Sequence, residues 1–309
     1  IAWPEGIEQP QEPKPPTEHA PSQFGFLLKW GSQGRGDGQF PDTEGIAVDA
    51  DGNVYVTDRS SHRVQMFTTA GRFLRLLGSA GSGGGQFGLP RGIALDAAGN
   101  VYVADFNRRR VQVFDAVGRF LREWGSAGKD NGQFGMFPGP AGITVDADGN
   151  VYVTDRSNHR VQVFTTEGRF LRLLGSAGSG DGQFRYPWGI AVDADGNVIV
   201  GDRGNHRVQV FDPAGRFLRE WGAAGGGNGQ FSGPWGIAVD RDRNVFVADE
   251  RNHRVQVFDP AGRFLREWGA AGSGNGQLAN PHGVAIDRAG NVYVADSGNH
   301  RVQVFAPVG

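Results

Sequence analysis

The sequence contains no cysteine, only two methionines and no long apolar run. Without cysteine the chain can form no disulfide, no thiolate metal site and no cysteine nucleophile. Without an apolar run of about 20 residues it offers no transmembrane helix, so we expect no membrane insertion. It also lacks an excess of charge, since 31 basic residues nearly balance 33 acidic ones. The broad positive field that nucleic-acid binding requires is therefore not expected.

Glycine is abundant, with 51 residues, and it marks a phrase that is repeated six times along the chain. The phrase reads Gly-Ile-Ala-Val-Asp, a Gly-Asn turn, Val-Tyr-Val-x-Asp, Asn-His-Arg-Val-Gln-Val-Phe and Gly-Arg-Phe-Leu-Arg, with small variations. Its opening glycines, at spacings of 47, 50, 47, 47 and 47 residues, are Gly45, Gly92, Gly142, Gly189, Gly236 and Gly283. A repeat of this period indicates one structural unit used six times.

Each repeat predicts four short strands, because β-branched and aromatic residues alternate with period two and no stretch keeps a helical period. In the unit that opens at Gly189 we expect strands over residues 189–193, 197–202, 207–211 and 217–221. Asp, Gly, Asn and Pro residues between them favour β-turns. Tandem four-stranded units of this length predict an all-β fold, a six-bladed β-propeller.

The two ends of the chain predict how the ring closes. The sixth unit stops at residues 304–309 and lacks a fourth strand, whereas residues 26–31, ahead of the first unit, match residues 264–269 of a complete unit. We therefore expect the N-terminal strand to complete the last blade, which would remove exposed strand edges there.

The repeated phrase resembles the NHL repeat, named for an Asn-His-Leu-like step that stands here as Asn158-His159-Arg160, Asn205-His206-Arg207, Asn252-His253-Arg254 and Asn299-His300-Arg301. The resemblance covers residues 24–309 and implies a six-bladed propeller of the NHL-repeat family. It also implies a range of activities, since some members bind single-stranded RNA, some form extracellular sensor domains, and amidating lyases use a metal.

Residues 1–21 differ in composition from the propeller domain, which we place at residues 22–309. They contain six prolines, four glutamates and one lysine, which predicts an extended, polyproline-like arm. Such an arm could lie on its own ring, on a neighbouring copy or on another protein. The chain starts with Ile rather than Met, so we expect a processed protein that is secreted or displayed on the cell surface.

Several polar patterns recur in three or more of the six repeats, which favours a structural role over a catalytic one. An Asp at the end of the second strand and an Arg at the start of the third are expected to bond across the turn: Asp58 and Arg63, Asp105 and Arg110, Asp155 and Arg160, Asp202 and Arg207, Asp249 and Arg254, Asp296 and Arg301. Five histidines at one repeat position are expected on five separate blades, not around one metal ion. The Asp-x-Asp-Gly-Asn segments at Asp49, Asp146 and Asp193 predict hairpin turns rather than calcium loops.

Function is expected where the repeats differ. By the layout that the resemblance implies, the loops before each first strand and those between second and third strands share one face. The residues just before the opening glycines are expected to ring the channel mouth; they are Glu44, Arg91, Ala141, Trp188, Trp235 and His282. The predicted binding face comprises Glu44, Arg59, Arg91, Phe106, Arg108, Arg109, Met136, Phe137, Arg156, Arg185, Tyr186, Trp188, Arg203, Trp235, Glu250 and His282.

We expect a non-enzymatic binding and assembly module, with another protein or other copies of the chain as its partner and no cofactor or metal. Arginine beside aromatic residues suits a protein hot spot, a stacked sugar or single-stranded RNA. The RNA-binding alternative is disfavoured by the balanced charge. A metal-dependent, lyase-like enzyme is the second alternative, and it would need several histidines at the channel, where only His282 is expected.

Overall fold

The computed structural model describes residues 23–137 and 139–308. They form six antiparallel four-stranded sheets arranged around a ring, which confirms the predicted six-bladed β-propeller. The predicted arm of residues 1–21 lies outside the described residues. Within the described part of the chain, no helix is long and apolar enough to cross a membrane.

The strands of each blade follow one another from the channel outward. Those of blades 1 to 3 are Thr43–Val48, Val54–Asp58, Arg63–Phe67 and Phe73–Leu77; Pro90–Leu95, Val101–Asp105, Arg110–Phe114 and Phe120–Trp124; Pro140–Val145, Val151–Asp155, Arg160–Phe164 and Phe170–Leu174. Those of blades 4 and 5 are Ile190–Val192, Val198–Asp202, Arg207–Phe211 and Phe217–Trp221; Pro234–Val239, Val245–Asp249, Arg254–Phe258 and Phe264–Trp268. Blade 6 contains Pro281–Ile286, Val292–Asp296, Arg301–Val308 and Gln23–Trp30.

Shorter elements connect the blades and the strands. Parallel two-residue strands pair Ser79–Ala80 with Gln86–Phe87 and Ser176–Ala177 with Gln183–Phe184. Single 3-10 turns follow the second strands of five blades, at Arg59–Ser61, Arg156–Asn158, Arg203–Asn205, Glu250–Asn252 and Ser297–Asn299. The predicted strands of blade 4 agree with the structure, except that the first is shorter. Pairing nevertheless continues past its start, because the Gly201 amide donates to the Gly189 carbonyl at 2.8 Å.

The N-terminal strand closes the ring as predicted. Gln23–Trp30 pairs antiparallel with Arg301–Val308, so that Phe26 faces Phe305 and Trp30 faces Val302. The first strand of blade 6 also packs against the first strand of blade 1. Strands from the two ends of the described chain thus share one sheet, which seals the toroid.

Apolar side chains fill the interfaces between neighbouring blades. Tyr102 of blade 2 packs with Val153 of blade 3, and Tyr293 of blade 6 packs with Val56 of blade 1. Because every blade contributes to two such clusters, the burial of apolar surface depends on a complete ring.

The opening glycines allow the first strands to approach one another at the channel. A Cβ atom on Gly189 would lie 2.1 Å from the Trp235 carbonyl oxygen of the next blade, and one on Gly142 would lie 2.2 Å from that of Trp188. These distances are far below van der Waals contact, so only glycine fits. The repeated glycine therefore sets the channel radius, a role that its recurrence alone did not reveal.

Buried ion pairs connect the second and third strands of all six blades, as predicted. The Arg Nε to Asp Oδ2 distances run from 2.7 to 3.3 Å, and all six carboxylates are fully buried. In blade 1 the Gln65 amide also donates to Asp58 at 3.2 Å, and Arg63 donates to the Gly36 carbonyl at 2.7 Å. These pairs fasten each blade to the preceding loop.

The five repeated histidines lie on separate blades, and four of them stabilise contacts between neighbours. They occupy the left-handed region, with φ of 55–57°, and Arg109 takes their place in blade 2. The His159 Nδ1 accepts a hydrogen bond from the Tyr186 amide at 3.0 Å, while the His300 Nδ1 lies 2.9 Å from the Pro41 carbonyl oxygen. His62, His159, His253 and His300 each contact the next blade through Nδ1. The buried Nδ1 of His206 has no hydrogen-bond partner among the described residues.

Candidate functional site

The residues just before the opening glycines form a closed circle on the loop face, as the repeat positions predicted. We call this set the inner ring; it consists of Glu44, Arg91, Ala141, Trp188, Trp235 and His282. Each residue precedes the first-strand glycine of its blade, which brings all six to the same end of the channel.

The aromatic half of the inner ring is held by stacking. The ring centroids of Trp188 and Trp235 lie 4.0 Å apart, and His282 stacks on Trp235 at 4.1 Å with an interplanar angle of 5°. The guanidinium of Arg91 lies 4.8 Å from the Trp188 ring centroid and 4.0 Å from that of Phe106. The channel mouth is therefore filled by side chains that contact one another.

The charged half of the inner ring centres on Glu44. Arg91 Nη1 donates to Glu44 Oε1 at 2.5 Å, and the His282 Nδ1 lies 3.5 Å from Glu44 Oε2. Burial raises the pKa of Glu44, but Arg91, His282 and Arg59 outweigh it and lower that pKa to about 2. Glu44 is therefore a carboxylate at neutral pH, held by the cations around it.

The space beneath the inner ring is small. Its volume is about 70 Å³, and it is lined by the first strands and their opening glycines. Small-molecule sites usually enclose about 300 Å³ or more. The channel as it stands offers no room for a substrate-sized ligand, so the accessible surface of this face lies above the inner ring.

A second set of side chains covers the inner ring, and we call it the outer tier. It comprises the residues that follow each second strand: Arg59, Phe106, Arg156, Arg203, Glu250 and Ser297. Arg203 donates to Glu250 at 2.7 Å and lies 4.8 Å above the Trp235 ring centroid. Arg59 donates from Nε to Asp42 at 2.6 Å, and the Ser297 hydroxyl bonds to the other oxygen of Asp42 at 3.0 Å.

Arg156 has different surroundings from the other arginines of the outer tier. Its guanidinium lies 4.5 Å from the Trp188 ring centroid and 5.3 Å from that of Tyr186. Its Nε, like those of Arg91 and Arg203, is buried without a hydrogen-bond partner among the described residues, but Arg156 also lacks the carboxylate partner that Arg91 and Arg203 have there. Burial and the nearby charges of Arg203 and Arg91 lower the pKa of Arg156 to about 10. The positive charge at this position is therefore poorly compensated.

Two exposed features flank the outer tier. The first is formed by Met136 and Phe137, whose side chains are 70% and 71% exposed. Phe137 contacts Phe106 edge-on with centroids 5.6 Å apart, and Arg109 Nε donates to the Met136 carbonyl at 2.7 Å. These contacts fix an apolar projection beside blades 2 and 3.

The second exposed feature is a groove between blades 3 and 4, with a volume of about 380 Å³. His159, Arg185 and Tyr186 line it, and the His159 and Tyr186 ring centroids lie 4.6 Å apart. Tyr186 is at the same time in contact with Arg156, so the groove adjoins the uncompensated charge.

The sixteen predicted site residues fall into three groups by exposure, although all lie on or beneath the loop face. Buried members are Glu44, Arg91, Phe106, Trp188 and Trp235. Half-buried members are Arg59, Arg109, Arg156, Arg203, Glu250 and His282. Exposed members are Arg108, Met136, Phe137, Arg185 and Tyr186. Their role in binding stays a prediction. The five buried members are covered, so a ligand would contact mainly the exposed and half-buried ones.

Sequence reasoning missed three residues that take part in this face. Asp42 accepts bonds from Arg59 and Ser297, and His159 shares the groove with Tyr186. Ser297 stands at the repeat position of Arg59, so a comparison of repeat positions would have found it. Asp42 stands at the repeat position of Leu89 and Gly233, but no other repeat has an acidic residue there, so no pattern marked it.

One group of residues on this face has ligand atoms close enough for a metal ion. Asp42, Glu44 and His282 bring such atoms within 4.8 Å of one another, and they are the one group of this kind among the described residues. The donor set does not fit a cation well, because Asp42 already binds Arg59 and Glu44 already binds Arg91. A divalent ion would be placed beside two guanidinium groups.

A larger cavity, of about 600 Å³, lies at the opposite end of the ring between the hairpin turns of blades 4 to 6. The repeated carboxylates of these turns accept hydrogen bonds from residues of their own hairpins. Asp193 accepts from the Asn197 amide at 2.8 Å, and Asp287 accepts from the Tyr293 hydroxyl at 3.0 Å. The predicted hairpin turns are confirmed at Asp49, where the Asn53 amide donates at 2.7 Å.

Comparisons with known proteins agree with this architecture. The family model described as the NHL repeat matches residues 44–67, 87–114, 137–164, 184–211, 231–258 and 278–305. Protein lin-41 of Caenorhabditis elegans is 46% identical over 50 residues, which are 16% of this chain and 4% of that protein.

Two solved structures illustrate how widely the fold is used. The virginiamycin B lyase of Staphylococcus aureus has a TM-score of 0.59 at 14% identity, covering 86% of this chain and 80% of that one. A chain of a nidogen/laminin complex has a TM-score of 0.60 at 24% identity, covering 79% and 84%. At such identities the likeness shows the fold alone.

Proposed function

The chain belongs to the NHL-repeat family, and on that premise we propose that it is a non-catalytic binding and assembly module. Its loop face would bind a protein partner, and other copies of the same chain are the partner that we favour. The proposal includes a location outside the cell or on its surface, which protease treatment of intact cells would check.

The observation that carries the proposal is a continuous series of aromatic and arginine side chains across the loop face. It leads from the exposed Phe137 over Phe106 to Arg91, with successive contacts of 5.6 and 4.0 Å. It continues over Trp188 and Arg156 to Tyr186. Exposed aromatic side chains beside arginine are the residues that most often dominate binding at protein interfaces.

The rigidity of the face supports the same proposal. The inner ring beneath it is buried and closed by mutual contacts, so the exposed side chains rest on a packed support. A preorganised face loses little conformational entropy on binding, which favours affinity.

A non-catalytic role is supported by the pairing of the acidic groups on this face. Glu44 and Asp42 are bound to arginines, and Glu250 accepts from Arg203 at 2.7 Å. A general base works best with a pKa near the working pH, whereas the pKa of Glu44 is about 2. The poor fit of a divalent ion at Asp42 and Glu44 supports this further.

Single-stranded RNA is the alternative ligand that one observation favours. Arg108 and Arg185 are exposed on the same face as Phe137 and Tyr186, and bases could stack on such aromatic rings. The formal charge of the whole chain is −2, which weakens this alternative because phosphate neutralisation supplies much of RNA affinity. Absence of salt-dependent binding to a single-stranded RNA pool would eliminate it.

Light scattering after size exclusion tests the proposed assembly. We expect the full chain to show a mass that rises with concentration, and the double variant Met136→Ser/Phe137→Ser to need higher concentrations. Leu218→Ser is the matched control, since this side chain is 45% exposed on the fourth strand of blade 4. A single-copy mass for the full chain at every concentration would defeat the assembly proposal.

A further inference from the structure

Arg156 has no carboxylate partner among the described residues, whereas the arginines at the same repeat position in blades 1 and 4 each have one. Arg59 is paired with Asp42 and Arg203 with Glu250, and beneath them Arg91 is paired with Glu44. Arg156 forms no ion pair with any residue of the ranges 23–137 and 139–308, and within those ranges its buried Nε has no hydrogen-bond partner. Its guanidinium instead lies on the rings of Trp188 and Tyr186.

An anion from outside the described residues would balance the positive charge of Arg156. A half-buried guanidinium without a counter-ion is costly, since burial removes part of its hydration. The nearby Arg203 and Arg91 add repulsion, in line with the pKa of Arg156, which is lowered to about 10. A carboxylate placed beside Arg156 would form a charge-assisted hydrogen bond and relieve that repulsion.

The groove beside Arg156 suits proline. Tyr186 forms one wall and is 39% exposed, and its ring also contacts His159. Aromatic-lined grooves bind proline-rich segments in extended conformation, because such segments lose little entropy on docking. A ligand that carries both proline and carboxylate would therefore match the groove and the charge together.

The chain itself contains a segment of this chemistry. Residues 1–22 hold six prolines and four glutamates, with one lysine as the opposing charge. At about 3.3 Å per extended residue, 22 residues could span up to about 70 Å. Charge complementarity and proline content both match this segment to the Arg156 site.

The segment is attached at the end of the molecule opposite to that site. Gln23 pairs with Val308, whereas Trp30 pairs with Val302, next to the turn Ser297–Asn299 that belongs to the loop face. The described chain thus starts on the face away from Arg156. A second copy placed with its loop face toward this end would be within reach of the segment, and such a head-to-tail contact can continue from copy to copy.

We propose that residues 1–22 of one copy bind the loop face of a second copy, with a glutamate carboxylate on Arg156 and proline in the groove of Tyr186. This inference rests on the proposed assembly function and names the site and the segment that would perform it.

A complementation experiment with full chains tests this inference. One variant carries Arg156→Glu and keeps an intact segment; the other carries Glu5→Lys, Glu8→Lys, Glu12→Lys and Glu18→Lys and keeps an intact face. By sedimentation velocity, each variant alone should associate at least about tenfold more weakly than the unaltered chain, because a charge-assisted bond becomes a repulsion. A mixture of the two should recover association, since the intact segment of one variant meets the intact face of the other.

Controls separate the possible outcomes. Arg35→Glu changes an exposed arginine beside blade 1, whose side chain reaches the Ser60 carbonyl, and should associate like the unaltered chain. Arg156→Gln serves in place of Arg156→Glu if circular dichroism shows that the latter is misfolded. Equal association of all variants would overturn the inference and leave the proposed assembly standing. Weakened variants without a mixed complex would also overturn it, because an intact segment would then have failed to bind an intact face. If the unaltered chain stays a single copy, both the proposed assembly and the inferred contact with Arg156 are wrong.

Discussion

Arg59 and Arg156 stand at the same repeat position in blades 1 and 3, directly after the buried Asp of the second strand, yet their surroundings differ. Arg59 binds Asp42 and approaches Glu44, whereas Arg156 lies on Trp188 without a carboxylate partner among the described residues. The repeat frame thus determines where a loop side chain lies, and the variable residues of neighbouring blades determine what it meets. The blade 1 side of the face is internally satisfied, and the blade 3 side is available to a ligand.

The largest effect is expected from the buried Asp–Arg pairs that precede both arginines in the hairpins of blades 1 and 3. Asp58→Ala and Asp155→Ala should each lower the free energy of unfolding by about 3–5 kcal/mol, because each leaves a buried arginine unpaired. Urea denaturation of the two variants measures this. Similar losses of unfolding free energy in blades 1 and 3 would show that the buried pair has the same role in both. A large loss in only one blade would contradict the comparison.

The second-largest effect is expected on the blade 1 side of the loop face, where Glu44 is paired with Arg91. Glu44→Gln should lower the free energy of unfolding by about 3 kcal/mol at pH 7, the equivalent of lowering the pKa from 4.5 to about 2. Because the folded-state pKa is the lower one, this stabilisation is present above pH 4.5 and is lost as the pH falls toward 2. Denaturation at several pH values should show the difference from the unaltered chain shrinking over that window. A difference that is independent of pH would contradict the assignment.

The smallest effect separates the two arginines directly. Arg59→Met should lower the free energy of unfolding by about 1–2 kcal/mol, because Asp42 loses a charged partner. Arg156→Met should change it by less than about 0.5 kcal/mol. No ion pair in the described structure is lost, and removal of a poorly compensated charge offsets the lost ring contacts with Trp188 and Tyr186. Thermal unfolding of both variants provides the measurement. Equal destabilisation would show that Arg156 has a structural partner after all.

The fold followed from the sequence because the propeller is a local pattern repeated six times. Turn residues and period-two alternation mark the strands, and the mismatch between the two chain ends predicted the shared sheet of Gln23–Trp30 and Arg301–Val308. The buried Asp–Arg pairs were predictable for the same reason, since both members recur at fixed offsets within one hairpin.

The candidate site was predictable only in part, because its contacts join residues that are far apart in the chain. Repeat position located the inner ring, but it did not reveal that Trp188, Trp235 and His282 stack into a plug. Nor could it reveal that Arg156 has no carboxylate partner within residues 23–137 and 139–308, since that depends on which residues stand in the neighbouring blades. Position is a local property, whereas pairing depends on the assembled ring.

Native mass spectrometry of the full chain and of Arg156→Glu, recorded side by side at increasing concentration, tests the central claim most directly. The account predicts that the unaltered chain passes to masses of two and more copies, while Arg156→Glu needs concentrations at least about tenfold higher to do so. Identical mass distributions for the two proteins would contradict it.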